Sequence, residues 1–300
     1  VDDASDRAET REFLSRCIAR GLENLKVVRN AENSGVSYTL NQAAATATGM
    51  LYAPVDHDDM VIASGFSLMM RYQRYHGCHW SYSDEQQITF KGFPTIHMYK
   101  PNYSPQLLRS VMYINHLQLI PKRLFDLVGG YREGFEGSQD HDLALRLSER
   151  TTPTHVNMVG YLWRRGDISY SVEHGQISES SIDASRRAIE EHFDRLGLTA
   201  KVTPHKLHPI HELPPQPTGV FISRIQVESI PKLSIIVPCK LGTMTEVDGK
   251  KIVVLEHCLQ SIRRSLPESG QPSSDSPEVE IILVLMVFNL QSRLNTPITL

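Results

Sequence analysis

The 300-residue chain is long enough for one large or two ordinary domains, and its 40% apolar content suffices for a packed core, which excludes a disordered polypeptide. Lys and Arg number 31 against 34 Asp and Glu, so a formal charge of -3 offers no general field for a polyanion, and nucleic acid is not an expected partner. Cys17, Cys78, Cys239 and Cys258 form no CxxC pair, which argues for a reducing compartment, and the longest strongly apolar run, Ile281 to Phe288, is far short of the ~20 residues of a membrane-spanning helix.

The opening "VDDAS" reads as the end of an element, and a targeting signal upstream of it is left open. Phe13, Leu14, Cys17, Ile18 and Leu22 recur at helical spacing, which predicts a helix over 7–22. "LKVVRN" predicts a short strand over 25–28. "SYTLNQAAATATG" predicts a helix capped by Ser37 and closed by a left-handed Gly49. "MLYAPV" is the next strand, with the acidic "DHDD" at its carboxyl end. This alternation of helices and strands is the rhythm of an open α/β sheet, in which ligands bind beyond the carboxyl ends of strands. In extended chain, Asp56 and Asp58 lie on one side, where one metal ion touches both or is held by one while the other takes a polar ligand.

A helix follows over 66–75, then "CHWSYSDEQQITF" as a strand running into a charged turn, and a loop over 93–108. "YINHLQLI" predicts a strand, "PKRLFDLVGG" a short helix, "SQDHDLALRLSER" a helix from about 140 to 150, and "THVNMVGYLWRRG" a strand leading into a basic turn. "SIDASRRAIEEHFDRLGL" is an amphipathic helix that closes a domain. Five prolines and three histidines between 204 and 218 mark a connector, and 204–230 is expected to be a linker. Strand, helix and strand signals after it, "KLSIIVPC", "VVLEHCLQSIRRSL" and "VEIILVLMVF", open a second α/β unit over 231–300.

Seven segments in order, "VDDAS", "KVVRNAENSGVSYTLNQAAATATG", "APVDHDD", "YSDE", "YKPNYSPQLLRSVMYINHLQLI", "VGGYREGFEGSQDHDLALRLSER" and "YLWRRG", together resemble the family 2 glycosyltransferases of GT-A fold, in particular bacterial members with tandem copies of the domain. The likeness covers nearly all of residues 1–200. "PKLSIIVPC" looks like the first strand of a second, fragmentary copy. The resemblance implies a Rossmann-like α/β domain over 1–203, with a mostly parallel sheet flanked by helices and an incomplete first βαβ unit. It implies Asp3 as acceptor for the nucleotide base, and Asp56 and Asp58 as the DxD motif, Asp58 as direct cation ligand and Asp56 as ribose contact. Asp140 matches the general base of inverting members. Asn33 and Asn41 border the donor pocket, Asp84 with Glu85 borders donor sugar or acceptor, and Trp163 and Arg164 lie over the diphosphate. Tyr99, Tyr103 and Tyr113 are acceptor-side walls or core.

The chemistry suits these residue types. A nucleotide-sugar donor, a UDP-sugar in many members, leaves behind a diphosphate whose charge Mg²⁺ or Mn²⁺ on carboxylate oxygens neutralises. A carboxylate about 2.6–3.2 Å from the acceptor hydroxyl takes its proton as the bond forms. The pattern departs from the family at Leu162, where relatives have His, which points to Arg164, Arg165 or His174 as a substitute donor. The Gln-x-x-Arg-Trp signature of processive synthases is absent. The expected acceptor is therefore a glycan or glycolipid of a cell-surface polysaccharide, met in the cytoplasm with peripheral membrane association open and oligomeric state unread. Two other readings stay open: a degenerate domain that binds nucleotide or partner without turnover, and a nucleotidyltransferase, which would need a Gly-rich phosphate loop not visible here.

Overall fold

A computed structural model describes residues 1–77, 79–164, 172–173, 176–206, 217–226, 232–240, 242–265 and 279–285. The chain divides into two compact units, Val1–Gln226 and Val227–Leu300.

The first unit opens with α1 (Ala8–Ala19) and α2 (Val36–Thr46), followed by β1 (Leu51–Tyr52), β2 (Met60–Val61) and α3 (Gly65–His76). The predicted strand over 25–28 does not form. Asp2 instead makes a single parallel bridge to Arg29, with its N–H on the Val28 carbonyl at 2.8 Å and its carbonyl accepting from Asn30 at 2.9 Å. Ser37 lies buried inside α2 and Gly35, at φ +85°, is the cap, because the chain must turn sharply out of the Asp3 loop, where glycine fits. The carboxyl end of α2 is Ala47 in extended conformation, so Gly49 plays no capping part.

Next come β3 (Ser81–Ile88), β4 (Pro94–Met98), α4 (Pro105–Leu108), β5 (Gln118–Pro121), α5 (Lys122–Leu127), α6 (Gln139–Ser148) and β6 (Thr154–Arg164). The strand expected in "CHWSYSDEQQITF" is β3, with "YSDE" inside it, and part of the expected 93–108 loop is β4. The two strands form a hairpin whose turn is closed by Gly92 at φ +83°. A short hairpin of β7 (Val172–Glu173) and β8 (Gln176–Ile177), then α7 (Glu179–Arg195), β9 (Ala200–Lys206) and β10 (Pro217–Ile225), complete the unit. β9 and β10 pair antiparallel across the segment expected to be a linker. Phe221 of β10 is buried in the main core, so that part of the Pro/His-rich stretch is structural. Residues 207–216 lie outside the described residues.

The sheet runs β1-β5-β3-β6-β2, with β4 on β3. The α/β class holds, but the sheet is mixed: among the described pairings only β3 with β6 is parallel, while β1·β5, β3·β5, β2·β6 and β3·β4 are antiparallel. Alternation of helices and strands does not fix direction. The tight β3–β4 turn requires antiparallel pairing, whereas the long connections to β5 and β6 permit either direction, and only β6 returns parallel to β3. Trp80, Tyr82, Leu145, Leu147, Ala188 and Phe193 pack on one side of the sheet and Met69, Leu117, Val156 and Tyr161 form a second cluster under α3. Burial of each large side chain contributes roughly 1.5–3 kcal/mol.

α6 is buried from His141 to Leu147, charged residues included. That is tolerable because Asp142 lies between Arg146, at 2.6 Å, and Arg132, and His141 Nε2 is 2.7 Å from the Leu108 carbonyl.

The second unit holds β11 (Leu233–Cys239), β12 (Met244–Val247), β13 (Lys250–Val253), α8 (Val254–Ser265) and β14 (Val279–Leu285). β11 and β14 pair in parallel in register Leu233↔Val279 to Cys239↔Leu285, a strand-helix-strand unit, with an antiparallel β12·β13 hairpin between. No helix among the described residues is long and apolar enough to cross a membrane.

Candidate active site

The acidic segment after β1 is folded back on itself: the Asp59 N–H donates to the Asp56 carbonyl at 3.2 Å. The residues at the two ends of that turn, Asp56 and Asp59, converge. Asp58, which extended geometry would have paired with Asp56, is half exposed with His57 Nδ1 at 3.9 Å. The turn is tied to β6 through Tyr161, whose hydroxyl donates to Asp59 at 2.8 Å and accepts from the Asp56 N–H at 3.1 Å. The Arg164 N–H donates to the other Asp59 oxygen at 2.7 Å.

His116, just ahead of β5, closes the group. Ligating atoms of Asp56, Asp59 and His116 all lie within 4.8 Å of one another, a donor set of two carboxylates and an imidazole that fits a divalent cation such as Mg²⁺ or Mn²⁺. The imidazole stacks on Tyr161 at 4.6 Å, with Trp163 tilted at 6.3 Å. Burial works against an imidazolium here, but Asp56 at 3.3 Å and Glu85 at 3.6 Å outweigh it and push His116 up to about 9. The same His116 contact, against burial, holds Asp56 below the usual carboxylate range. Burial raises Asp59 despite its two donors.

The polar middle of β3 faces this group from behind. Asp84 accepts from the Lys100 N–H at 2.8 Å and from His155 Nε2 at 2.7 Å. Glu85 accepts from Lys100 Nζ at 3.0 Å. Asp84 is therefore held inside the sheet through Oδ1. Trp163 sits beside the His116 ring at the end of β6, and the Arg164 Nε is buried without a hydrogen-bond partner among the described residues.

Asp140 stands in the first turn of α6, partly buried, its carboxylate accepting from the His141 N–H at 2.9 Å. Burial raises it above the ordinary carboxylate range, with His141 and then His116 opposing. Tyr131, also raised chiefly by burial, feels the Asp140 and Asp56 carboxylates together. Asp140, His116 and Asp56 thus share one electrostatic locale.

The remaining candidates are engaged locally. Asp3 accepts from Asn30 at 2.8 Å, Ser34 at 2.9 Å and Gly35 at 2.9 Å, and these donors hold it low despite desolvation. Asn33 donates to the Asp3 carbonyl at 3.3 Å. The Asn41 amide spends both ends on the Tyr131 backbone, at 2.7 and 2.9 Å. Tyr113 is edge-on to Tyr82 and accepts from the Ser104 N–H, and Tyr103 packs on the core, whereas Tyr99 is exposed. Arg165 and His174 lie outside the described residues. The imidazole at the site comes from His116, for which no sequence signal stood out, and Asp59 was hidden in the acidic run.

The family model for glycosyl transferase family 2 matches residues 1–105. O-antigen biosynthesis protein RfbC of Myxococcus xanthus is 38% identical over 160 residues, covering 53% of this chain and 12% of RfbC. Uncharacterized protein y4gI of Sinorhizobium fredii is 32% identical over 244 residues, covering 80% of this chain and 26% of that protein. The chain therefore spans about an eighth and about a quarter of these relatives. Among solved structures, S. aureus TarS 1-349 in complex with UDP-GlcNAc superposes with a TM-score of 0.50 at 17% identity, covering 64% of this chain and 56% of TarS, which shows a shared GT-A fold.

Proposed function

We infer, from a chain whose first 105 residues match family 2 of the glycosyltransferases, that it transfers a sugar from a nucleotide-diphosphate donor to a glycan or glycolipid hydroxyl, inverting the anomeric carbon. The observation that carries this reading is the convergence of Asp56, Asp59 and His116, with His116 within electrostatic reach of Asp140, whose carboxyl burial raises. Asp56, Asp59 and, once it has given up its proton, His116 would hold Mg²⁺ or Mn²⁺, with the half-exposed Asp58 beside them. When bound, the cation supplies the positive charge that the departing diphosphate needs. Arg164, whose Nε lacks a partner among the described residues, is available to the same phosphates. Asp3 and Asn33 border the nucleotide, Asn41 fixes the loop beneath it, and Trp163 bounds the sugar, while Asp84, buried in β3, supports the site from behind.

Asp140 takes the proton of the acceptor hydroxyl as its oxygen bonds to the anomeric carbon. The bond from that carbon to the diphosphate oxygen breaks, and the nucleoside diphosphate leaves with the electron pair. A raised carboxyl is a stronger base than an exposed one, and its proton affinity moves toward operating pH. The relative named for O-antigen biosynthesis supports a surface polysaccharide precursor as acceptor, and the cysteine pattern supports a cytoplasmic setting. We propose two domains, the first, expected over 1–203, extended by β9 and β10 to Gln226 and holding the site, the second over 231–300.

The test offers UDP-GlcNAc and other UDP-sugars with Mn²⁺ and reads UDP release and sugar transfer. Wild type is expected to release UDP in a chelator-sensitive way. Asp140→Asn is expected to bind donor with unchanged affinity and to lose at least ~10²-fold in transfer. Full transfer by Asp140→Asn removes the assigned base, and donor binding without any turnover by wild type favours a nucleotide-binding domain instead.

A further inference from the structure

Resting on the reading that Asp56 and Asp59 hold a divalent cation, we propose that Glu85 and Lys100 are positioning residues. They aim the His116 Nε2 at that cation and give the site a preference for Mn²⁺ over Mg²⁺.

His116 Nε2 lies 3.3 Å from Asp56, on the side of the ring where the ligating atoms gather. Its other nitrogen, Nδ1, is buried without a hydrogen-bond partner and sits 3.6 Å from Glu85 Oε2. A small shift of the ring converts that approach into an Nδ1–H donated to the carboxylate. This is the arrangement in which a carboxylate behind a metal-bound histidine fixes its tautomer and orientation and raises its basicity.

Lys100 grips both partners of the shift. Its Nζ donates to Glu85 Oε2 at 3.0 Å and to the carbonyl of His116 itself at 2.6 Å, and it also donates to the carbonyl of Asn115. One ammonium therefore fixes the carboxylate and the backbone that carries the imidazole, using all three of its donors. The side chains of Lys100 and Glu85 are each 5% exposed. A buried ion pair of this kind is often no more stabilising than apolar residues of the same volume, so its place in the central strand calls for a role beyond stability. The Tyr161 face at 4.6 Å fixes the ring plane, leaving rotation along that face as the freedom that Glu85 removes.

A nitrogen ligand discriminates between cations. Mg²⁺ favours an all-oxygen shell with several waters, whereas Mn²⁺ accepts imidazole more readily.

The experiment titrates the full chain with Mn²⁺ alone, without nucleotide, by electron paramagnetic resonance. It measures the ¹⁴N modulation of the bound ion and displaces it with Mg²⁺. Wild type is expected to show imidazole ¹⁴N modulation and to prefer Mn²⁺. His116→Gln should lose the modulation. The paired variant Lys100→Met with Glu85→Gln leaves no orphan charge. It should bind Mn²⁺ about tenfold more weakly with little change for Mg²⁺, so that the ratio of affinities falls. Wild-type Mn²⁺ without ¹⁴N modulation overturns the inference whatever the variants do and leaves the cation site standing, as does a folded paired variant with the wild-type ratio. Binding of neither cation by wild type overturns the underlying cation reading together with this one.

Discussion

Asp56 keeps 62% of its side chain exposed while meeting His116 at 3.3 Å, whereas Asp59 is held on both oxygens by the Tyr161 hydroxyl and the Arg164 N–H. The two aspartates at the ends of one turn therefore carry different loads, and substitution should separate them. Asp56→Asn is expected to weaken Mn²⁺ binding by about tenfold or more while leaving Tm near wild type, because its ion pair to His116 is solvent-exposed on the Asp56 side and such pairs contribute about 0–1 kcal/mol. Asp59→Asn should weaken Mn²⁺ and also lower stability by about 1–3 kcal/mol, since it disrupts charge-assisted bonds that tie the turn to β6. Equal thermal midpoints for the two variants would refute this division. The acidic run was legible in the sequence as a candidate ligand site, but which of its carboxylates converge was not. A spacing of two pairs Asp56 with Asp58 only in extended chain, and the turn pairs Asp56 with Asp59. His116 was illegible for another reason: it is 57 positions downstream of Asp59, and only the pairing of β5 with β3 brings it near.

At the scale of elements, α3 and α7 were readable because an amphipathic helix writes its buried stripe at period 3.6, α1 has the same period but buries none of its residues, and α6 was readable from its flanking charges and lack of β-branching. β3 was legible as a strand but not as the polar centre of the sheet: Ser83, Asp84 and Glu85 are buried across both of its faces and satisfied by partners distant in sequence, a departure from binary patterning. β4 was missed since its five residues are all exposed and show no alternation to detect. α6 has the same character as β3, and a pH dependence follows from it. Burial opposes ionisation of Asp142, but its bonds to Arg132 and Arg146 outweigh that and hold its carboxyl below the usual carboxylate range. A depressed folded-state value means a contribution fully present above the unfolded value of about 3.9 and lost as pH falls through the folded value. Stability of the first unit should therefore drop as pH falls below about 4. Asp142→Asn should be less stable near neutrality and show a flatter acid limb in denaturant titrations from pH 6 to 2. An acid limb as steep in the variant as in wild type would assign acid sensitivity to other carboxylates.

Across the whole molecule, burial is unevenly shared. In the first unit a six-stranded sheet has side chains on both faces, with Trp80, Tyr82, Leu145 and Ala188 at 1% exposure or less. The second unit was legible as strand, helix, strand, yet among its described residues α8 has no buried position and β11 and β14 make a two-stranded sheet. Ile236 is 64% exposed and Ile281, Ile282, Leu283 and Val284 are each 40–44% exposed. Sequence periodicity tells which face of an element is apolar but not whether anything covers it. A two-stranded sheet is marginal in water by itself, and local opening is cheap where few apolar contacts are broken. Amide hydrogen exchange should accordingly divide the chain. Amides of β3, β6 and α6 are expected to exchange at least about 10³-fold more slowly, relative to their intrinsic rates, than those of β11, β14 and α8. Protection of β11 and β14 equal to that of β3 would mean that the exposed Ile and Val faces are covered in solution, and salt-independent, concentration-dependent protection would identify the cover as another copy of the chain through these apolar strands.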